Sequence, residues 1–352
     1  MESSPSPSLQ CPRPLHSSRV IQMAHGGGGR LMSELLGRLL PLLPGSEKPS
    51  LRHDGAVVSV ADWERLAFTT DSYVVNPLFF PGGDIGKLAV NGTVNDLAMC
   101  GAVPKVLSCA LIIEEGFPVA SLERVLRSMA AAAEVAGIEI ITGDTKVVDR
   151  GKGDGLYINT AGLGVLPSGI LIGPQKIQAG DAIIINGDLG RHAVAVMGAR
   201  ADMVFDPPVE SDSVPLHRLV RSLLESGIPV HCLRDATRGG LASTLVELAE
   251  SSELGIRLFD DKIAVGESVR SACEILGLDP LYLANEGRCV VFVPAKYAEG
   301  AVALMRELPE GREAVVIGRV TREHKRMLVV EGQYGTERCV PMLSGEQLPR
   351  IC

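Results

Sequence analysis

Aromatic residues supply only 4% of the 352-residue chain, with a single tryptophan at Trp63. A core must therefore rest on Val, Ile, Leu and Ala, and the 46% hydrophobic content provides enough of them. No apolar run approaches the roughly 20 residues that span a bilayer. The first twenty residues are rich in Ser and Pro and contain Arg13 and Arg19 without an apolar stretch, which excludes a secretory signal. The eight cysteines (11, 100, 109, 232, 273, 289, 339 and 352) include no Cys-x-x-Cys pair. That spacing speaks against a zinc site or a thioredoxin-type motif, and free thiols in a reducing cytoplasm are expected. A basic excess is also missing: 34 basic residues against 42 acidic leave a net charge of −8, which excludes a phosphate-backbone binder. It suits a protein that gathers carboxylates around a divalent cation.

Standard phosphate cradles are absent too, although glycine is plentiful at 39 residues. Gly82-Gly83-Asp84-Ile85-Gly86-Lys87-Leu88 has its first glycine out of register for a P-loop, and Leu88 has no hydroxyl for magnesium. Gly162-Leu163-Gly164 lacks the third glycine of a dinucleotide fingerprint. If ATP is used, another architecture binds it.

The length suits two domains. Residues 1–20 read as a disordered extension, 21–166 as a first α+β domain, 167–332 as a second, and 333–352 as a mobile tail. Four consecutive glycines in His25–Arg30 make a flexible segment whose backbone can approach a ligand closely. Helical spacing is expected over 31–43, 84–100 and 119–136, and in the second half around 215–226, 240–252, 266–276 and 295–307. Strands are expected over 56–61, 66–70, 106–113, 138–141 and 156–165, then 182–185, 289–293 and 314–320. Gly143-Asp144-Thr145-Lys146 reads as a turn after the 138–141 strand. Beyond residue 333 periodicity vanishes, and Pro341, Gly345 and Pro349 interrupt the chain.

Asp54, Asp71, Asp96, Asp144 and Asp235 each stand at the edge of an apolar element beside small residues. Together they suggest oxygen ligands converging on Mg²⁺, which takes carboxylates and substrate phosphates; singly, each could be a cap or turn former. Asn91 and Asn95 share one face of an otherwise apolar helix. Either they cap a neighbouring backbone or they face a polar ligand. Lys146 and Glu286 lie near apolar segments, where an acid or base can have a shifted pKa. His192 and His231 read as structural. Cys352 ends the chain on a Pro/Gly-interrupted tail, an exposed nucleophile on a movable arm or an accident of the terminus.

The His25–Arg30 run, Thr69–Tyr73, Phe80–Lys87, Asn95-Asp96, Thr142–Val148, Asp235–Gly240, Asn285-Glu286-Gly287 and Pro349-Arg350-Ile351-Cys352 occur in one order. From about residue 21 onward this closely resembles the HypE family of hydrogenase maturation proteins. That family shares an ATP-binding superfamily with aminoimidazole ribonucleotide synthetase, selenophosphate synthetase and thiamine-monophosphate kinase. The carboxylate pattern is generic to the superfamily; the Pro-Arg-Ile-Cys ending is specific to HypE. Residues 25–30 hold no cysteine, unlike selenophosphate synthetases, and His53-Asp54 stands where relatives often carry consecutive acids.

The resemblance implies an α/β (α+β) fold of two domains, aminoimidazole ribonucleotide synthetase-like, with a homodimer formed through the N-terminal sheet. It implies ATP and Mg²⁺ as cofactors, metal ligation by Asp54, Asp71, Asp96 and Asp235, and nucleotide contacts from Gly143, Asp144 and Thr145, with Asn91, Asn95, Gly27 and Gly28 beside them. Cys352, Glu286 and Lys146 would be catalytic. The implied reaction is ATP-dependent dehydration of a carbamoyl group on Cys352 to a thiocyanate, with HypF as carbamoyl donor and a HypC–HypD complex as cyanide acceptor. Two rivals differ in their predictions: a kinase of a free metabolite would ignore deletion of Cys352, and a non-catalytic thiol carrier would hydrolyse no ATP.

Overall fold

The computed structural model describes residues 29–31, 33, 34, 56–61, 64–345, 348 and 350–352. The extension over 1–20, Gly27, Gly28, His53, Asp54 and most of the helix expected over 31–43 lie outside the described residues.

The first domain is a sheet of β1 (Ala56–Ala61), β2 (Glu64–Tyr73), β5 (Val103–Glu114), β6 (Glu139–Val148) and β7 (Leu156–Leu166), in the order β1-β2-β7-β5-β6. A small hairpin, β3 (Phe79–Phe80) with β4 (Gly83–Asp84), leads into helix α1 (Ile85–Met99). Asp84 caps that helix, accepting from Gly86 N and Lys87 N at 2.8 and 3.0 Å. So the Gly-Gly-Asp-Ile-Gly-Lys stretch is a turn and a helix start. Helix α2 (Val119–Ala136) packs on α1 and ends on Gly137 in the left-handed region.

One expectation fails here. Gly143–Lys146 is not a turn: β6 runs unbroken through it, parallel to β5. The cause is the β-branched run around it (Ile140, Ile141, Thr142, Thr145, Val147, Val148), which favours a pleated strand over the turn that Gly-Asp suggests locally. Gly143 is there because any side chain would run into the Cys109 carbonyl of the neighbouring strand.

The second domain has a mixed sheet of order β14-β13-β10-β12-β8-β11-β9. Its strands are β8 (Asp181–Ile185), β9 (Cys232–Asp235), β10 (Gly255–Phe259), β11 (Cys289–Pro294), β12 (Val315–Thr321), β13 (Leu328–Glu331) and β14 (Glu337–Val340). Its helices are α3 (Arg191–Arg200), α4 (His217–Glu225), α5 (Gly240–Ser252), α6 (Glu267–Leu276) and α7 (Ala298–Arg306). The irregular tail expected from residue 333 is interrupted by β14, which pairs with β13. The tail is not loose at its end either, for Ile351 is 5% exposed and joins a core shared by α1, α2, α3 and α6.

Helix α1 is the hinge pin between the domains, touching the first sheet on one side and α4 and β9 on the other. Asn95 settles into that junction: its amide donates to Val214 O at 3.1 Å and Glu286 O at 3.4 Å, and its oxygen accepts Leu216 N at 2.7 Å. Asn95→Ala would leave the buried Leu216 N–H and the Val214 carbonyl without their partner, at about 1–3 kcal/mol. A fall of that size in the urea unfolding free energy of the ligand-free protein is the expected result.

Candidate active site at the domain junction

The site grows from three chain segments that the two sheets bring together. On β2, alternation places Thr69, Asp71 and Tyr73 on the face that looks toward α1. Thr69 Oγ1 donates to Asp96 Oδ2 on α1 at 2.7 Å, and the Tyr73 hydroxyl donates to Asp71 Oδ2 at 3.0 Å. Gly92 leaves the space that the Tyr73 hydroxyl fills. From the second domain, β9 and β11 pair with Asp235 opposite Cys289. This places Asp235 beside the Asn285-Glu286-Gly287 loop that precedes β11. Asn285 ties that loop down, donating to Ala236 O and Leu283 O and accepting Gly190 N at 2.7 Å. Asp212 receives the backbone N–H groups of Glu286 and Gly287 at 3.1 and 3.3 Å.

The third segment is the chain end. Cys352 enters the space among Arg238, Glu286, Asp71 and Asp235, all of which act on its thiol. Burial pushes that thiol up to about 12, against the pull of the Arg238 guanidinium and with the help of the three carboxyl groups. Docked, it is a neutral SH. Glu286 is 4% exposed and one of its oxygens, Oε1, is buried without a hydrogen bond. Burial first, then Asp235, Asp212 and Asp71, raise its carboxyl well above the usual range. Tyr73 is likewise held as a neutral phenol by burial and by Asp71. Arg238 Nη2 lies 3.6 Å from Asp71 Oδ1, so the site's cation bridges the two domains.

Of the residues expected from sequence, Asp71, Asp96, Asp235, Glu286 and Cys352 gather at this junction. Asn91 lines it as well: its amide donates to Ser213 Oγ at 3.1 Å, while its Oδ1 is buried without a partner. Asp144 and Lys146 are paired to each other at 3.2 Å on the exposed edge strand β6, with Gly143 and Thr145 beside them. Lys146 is not among the charges acting on the Cys352 thiol. Gly27, Gly28 and Asp54 lie outside the described residues. Sequence reasoning missed Arg238, Tyr73 and His192. Only the quoted Thr69–Tyr73 and Asp235–Gly240 stretches pointed toward the first two.

The donors offered to a metal are carboxylate oxygens, the set magnesium prefers. Among the described residues no three His, Cys, Asp or Glu groups close around one point. All seven described cysteines are free. Among the described residues no helix is long and apolar enough to cross a membrane.

Two family descriptions cover the chain: AIR synthase related protein, N-terminal domain, over residues 52–166, and its C-terminal domain over 178–331. A carbamoyl dehydratase HypE of Azotobacter vinelandii is 48% identical over 332 residues, covering 94% of this chain and 97% of that one. The crystal structure of a HypE–HypF complex matches with a TM-score of 0.82 at 44% identity, over 90% of this chain and 100% of that chain. A HypE in complex with ATP matches at 0.79 and 44% identity, over 95% and 100%. The chain belongs to the HypE carbamoyl dehydratase family of AIR synthase related proteins.

Proposed function

We propose that the protein dehydrates an S-carbamoyl group on its own Cys352 to a thiocyanate at the expense of ATP, supplying the cyanide ligand of a [NiFe]-hydrogenase iron. The observation that carries this reading is the Cys352 thiol seated among Arg238, Glu286, Asp71 and Asp235 at a domain junction.

The chemical difficulty is the leaving group. Hydroxide leaves an amide-type carbon poorly, so the carbamoyl oxygen attacks the γ-phosphorus of ATP, ADP departs, and the oxygen becomes a phosphate ester. Loss of the nitrogen protons then expels phosphate and leaves S–C≡N. Glu286 is assigned as the acceptor of an N–H proton. Its raised carboxyl and its free buried Oε1 suit a base facing a weakly acidic group. Asp71, Asp96 and Asp235, with Asp54, are assigned to hold Mg²⁺, which when bound neutralises phosphate charge and orients the transferred group. Nucleotide contacts are assigned to Asn91, whose free Oδ1 calls for a donor, with Asn95, Gly27, Gly28 and the Gly143-Asp144-Thr145 stretch.

Lys146 is assigned to the oxyanion charge. It sits on the edge strand of a sheet whose outer face leaves Phe68, Ile112 and Ile141 exposed at 45%, 43% and 61%. A second copy covering that face would form the homodimer. HypF is the proposed carbamoyl donor, HypC–HypD the proposed acceptor, and the cytoplasm the proposed compartment.

Intact-protein mass spectrometry tests the whole reading. After incubation with HypF and carbamoyl phosphate, a carbamoyl group is expected at Cys352; after Mg-ATP, loss of one water. ATP hydrolysis with no adduct would move the assignment to a metabolite kinase.

A further inference from the structure

The last three residues are gripped in an unusual way. His192 Nε2 meets the Ile351 carbonyl at 2.7 Å, and its Nδ1 meets Ser211 Oγ at 2.8 Å. A carbonyl can only accept, so Nε2 carries the proton and Nδ1 accepts from the serine hydroxyl. Burial lowers the imidazole's pKa and keeps it neutral, in line with that tautomer. Arg200 donates to the Arg350 carbonyl at 2.9 Å and to Asn76 O at 2.8 Å. Asn76 N in turn donates to Arg350 O at 3.1 Å, and Val74 N donates to a terminal oxygen of Cys352 at 3.2 Å. The Arg350 guanidinium pairs with Asp154.

All of the bonds made to the last three residues go to main-chain oxygens or to the Arg350 side chain; none goes to sulfur. Resting on the functional reading above, we infer that His192 and Arg200 are positioning residues that dock the tail by its backbone, so that the hydrogen bonds fixing its register do not depend on what the sulfur carries, whatever the charges around the sulfur add. The same grip serves thiol, thiocarboxamide and thiocyanate alike. Each intermediate is then presented in one register to Glu286, whose loop is anchored by Asp212, the neighbour of the serine that holds His192. A corollary concerns release: since modification leaves the bonds unchanged, an outside partner must displace the tail by replacing its backbone contacts.

The test uses the full chain alone, without carbamoyl donor or ATP, so its failure is separable from failure of the proposed reaction. Iodoacetamide labelling is followed by peptide mass spectrometry, with exposed Cys339 as internal reference. In the unaltered protein Cys352 is expected to label far more slowly than Cys339. Arg200→Ala and His192→Ala should each raise the Cys352 rate about tenfold, the weight of one lost hydrogen bond, without moving Cys339. His192→Gln keeps an N–H donor and should restore slow labelling. His192 is buried and its alanine variant could unfold; Arg200 is exposed, so Arg200→Ala keeps the test alive. An unchanged Cys352 rate in a folded Arg200→Ala protein overturns the positioning role. That independence of the sulfur is tested by limited trypsin cleavage after Arg350, compared between the free thiol and protein chemically cyanylated at Cys352. Equal rates support it; a tenfold difference overturns it.

Discussion

Replacing Cys352 by alanine is expected to abolish product formation completely while ATP binding survives. The sulfur is the proposed attachment point of the group being dehydrated, and it stands among Arg238, Glu286, Asp71 and Asp235. The loss has no partial form, because without sulfur there is nothing to carbamoylate. Retention of ATP binding follows from where the tail's bonds go: backbone carbonyls of residues 350–352 accept from His192, Arg200 and Val74 whatever the last side chain is. The variant therefore still docks and leaves the junction packed. Serine at the same place would dock equally and still fail, since an alcohol is a far weaker nucleophile than a thiolate at neutral pH. Mass spectrometry after incubation with HypF reads the first half, and calorimetric titration with Mg-ATP the second. Turnover of ATP at an undiminished rate in the alanine protein would point to a free substrate. The raised thiol pKa adds a direction: docked Cys352 is a poor nucleophile, so carbamoylation is expected to be faster from an undocked tail, where burial no longer holds the thiol pKa up.

Much of this site could be read before folding, and the parts that could not failed for different physical reasons. Helices with an apolar stripe were legible: α2 and α6 begin and end within a residue or two of where their spacing puts them. Helix α3 was not, because residues His192–Gly198 are buried on every side and show no stripe to count. Gly143–Lys146 misled because a Gly-Asp pair carries a turn signal over four residues, whereas a parallel neighbour strand decides its geometry. The carboxylates were legible by context: Asp71, Asp96 and Asp235 all stand at the domain junction, although among the described residues no three such groups close around one point. Arg238 and His192 were not, because each acts through a partner far away in sequence, Asp71 for the first and Ile351 for the second; Tyr73 bonds Asp71 only two residues away, but its role depends on burial against Gly92 of α1, which local sequence does not show. The terminal cysteine was readable only through its family ending. Its physical meaning comes from a socket made of β2, α3 and the 211–213 segment.

Glu286→Gln is expected to slow dehydration by about 10²–10⁴-fold, the usual contribution of a positioned base. The substitution keeps the shape of the side chain and removes only its ability to take a proton. The loop itself should not move, since Asp212 holds the backbone N–H groups of residues 286 and 287 and Asn285 is tied to Ala236 and Leu283. The carboxyl sits among Asp235, Asp212 and Asp71, with Arg238 alone pulling its pKa down. As a base it must be ionised, so the rate should rise with pH through its pKa, which lies above the ordinary carboxyl range. In the glutamine protein that acid limb should vanish along with most of the rate. Single-turnover dehydration of pre-carbamoylated protein, followed by mass spectrometry across pH, reads both effects at once. A slower rate that kept the acid limb would transfer the proton to another group. An unchanged rate would remove Glu286 from the chemistry and leave its buried, unpartnered oxygen as a packing feature of the junction.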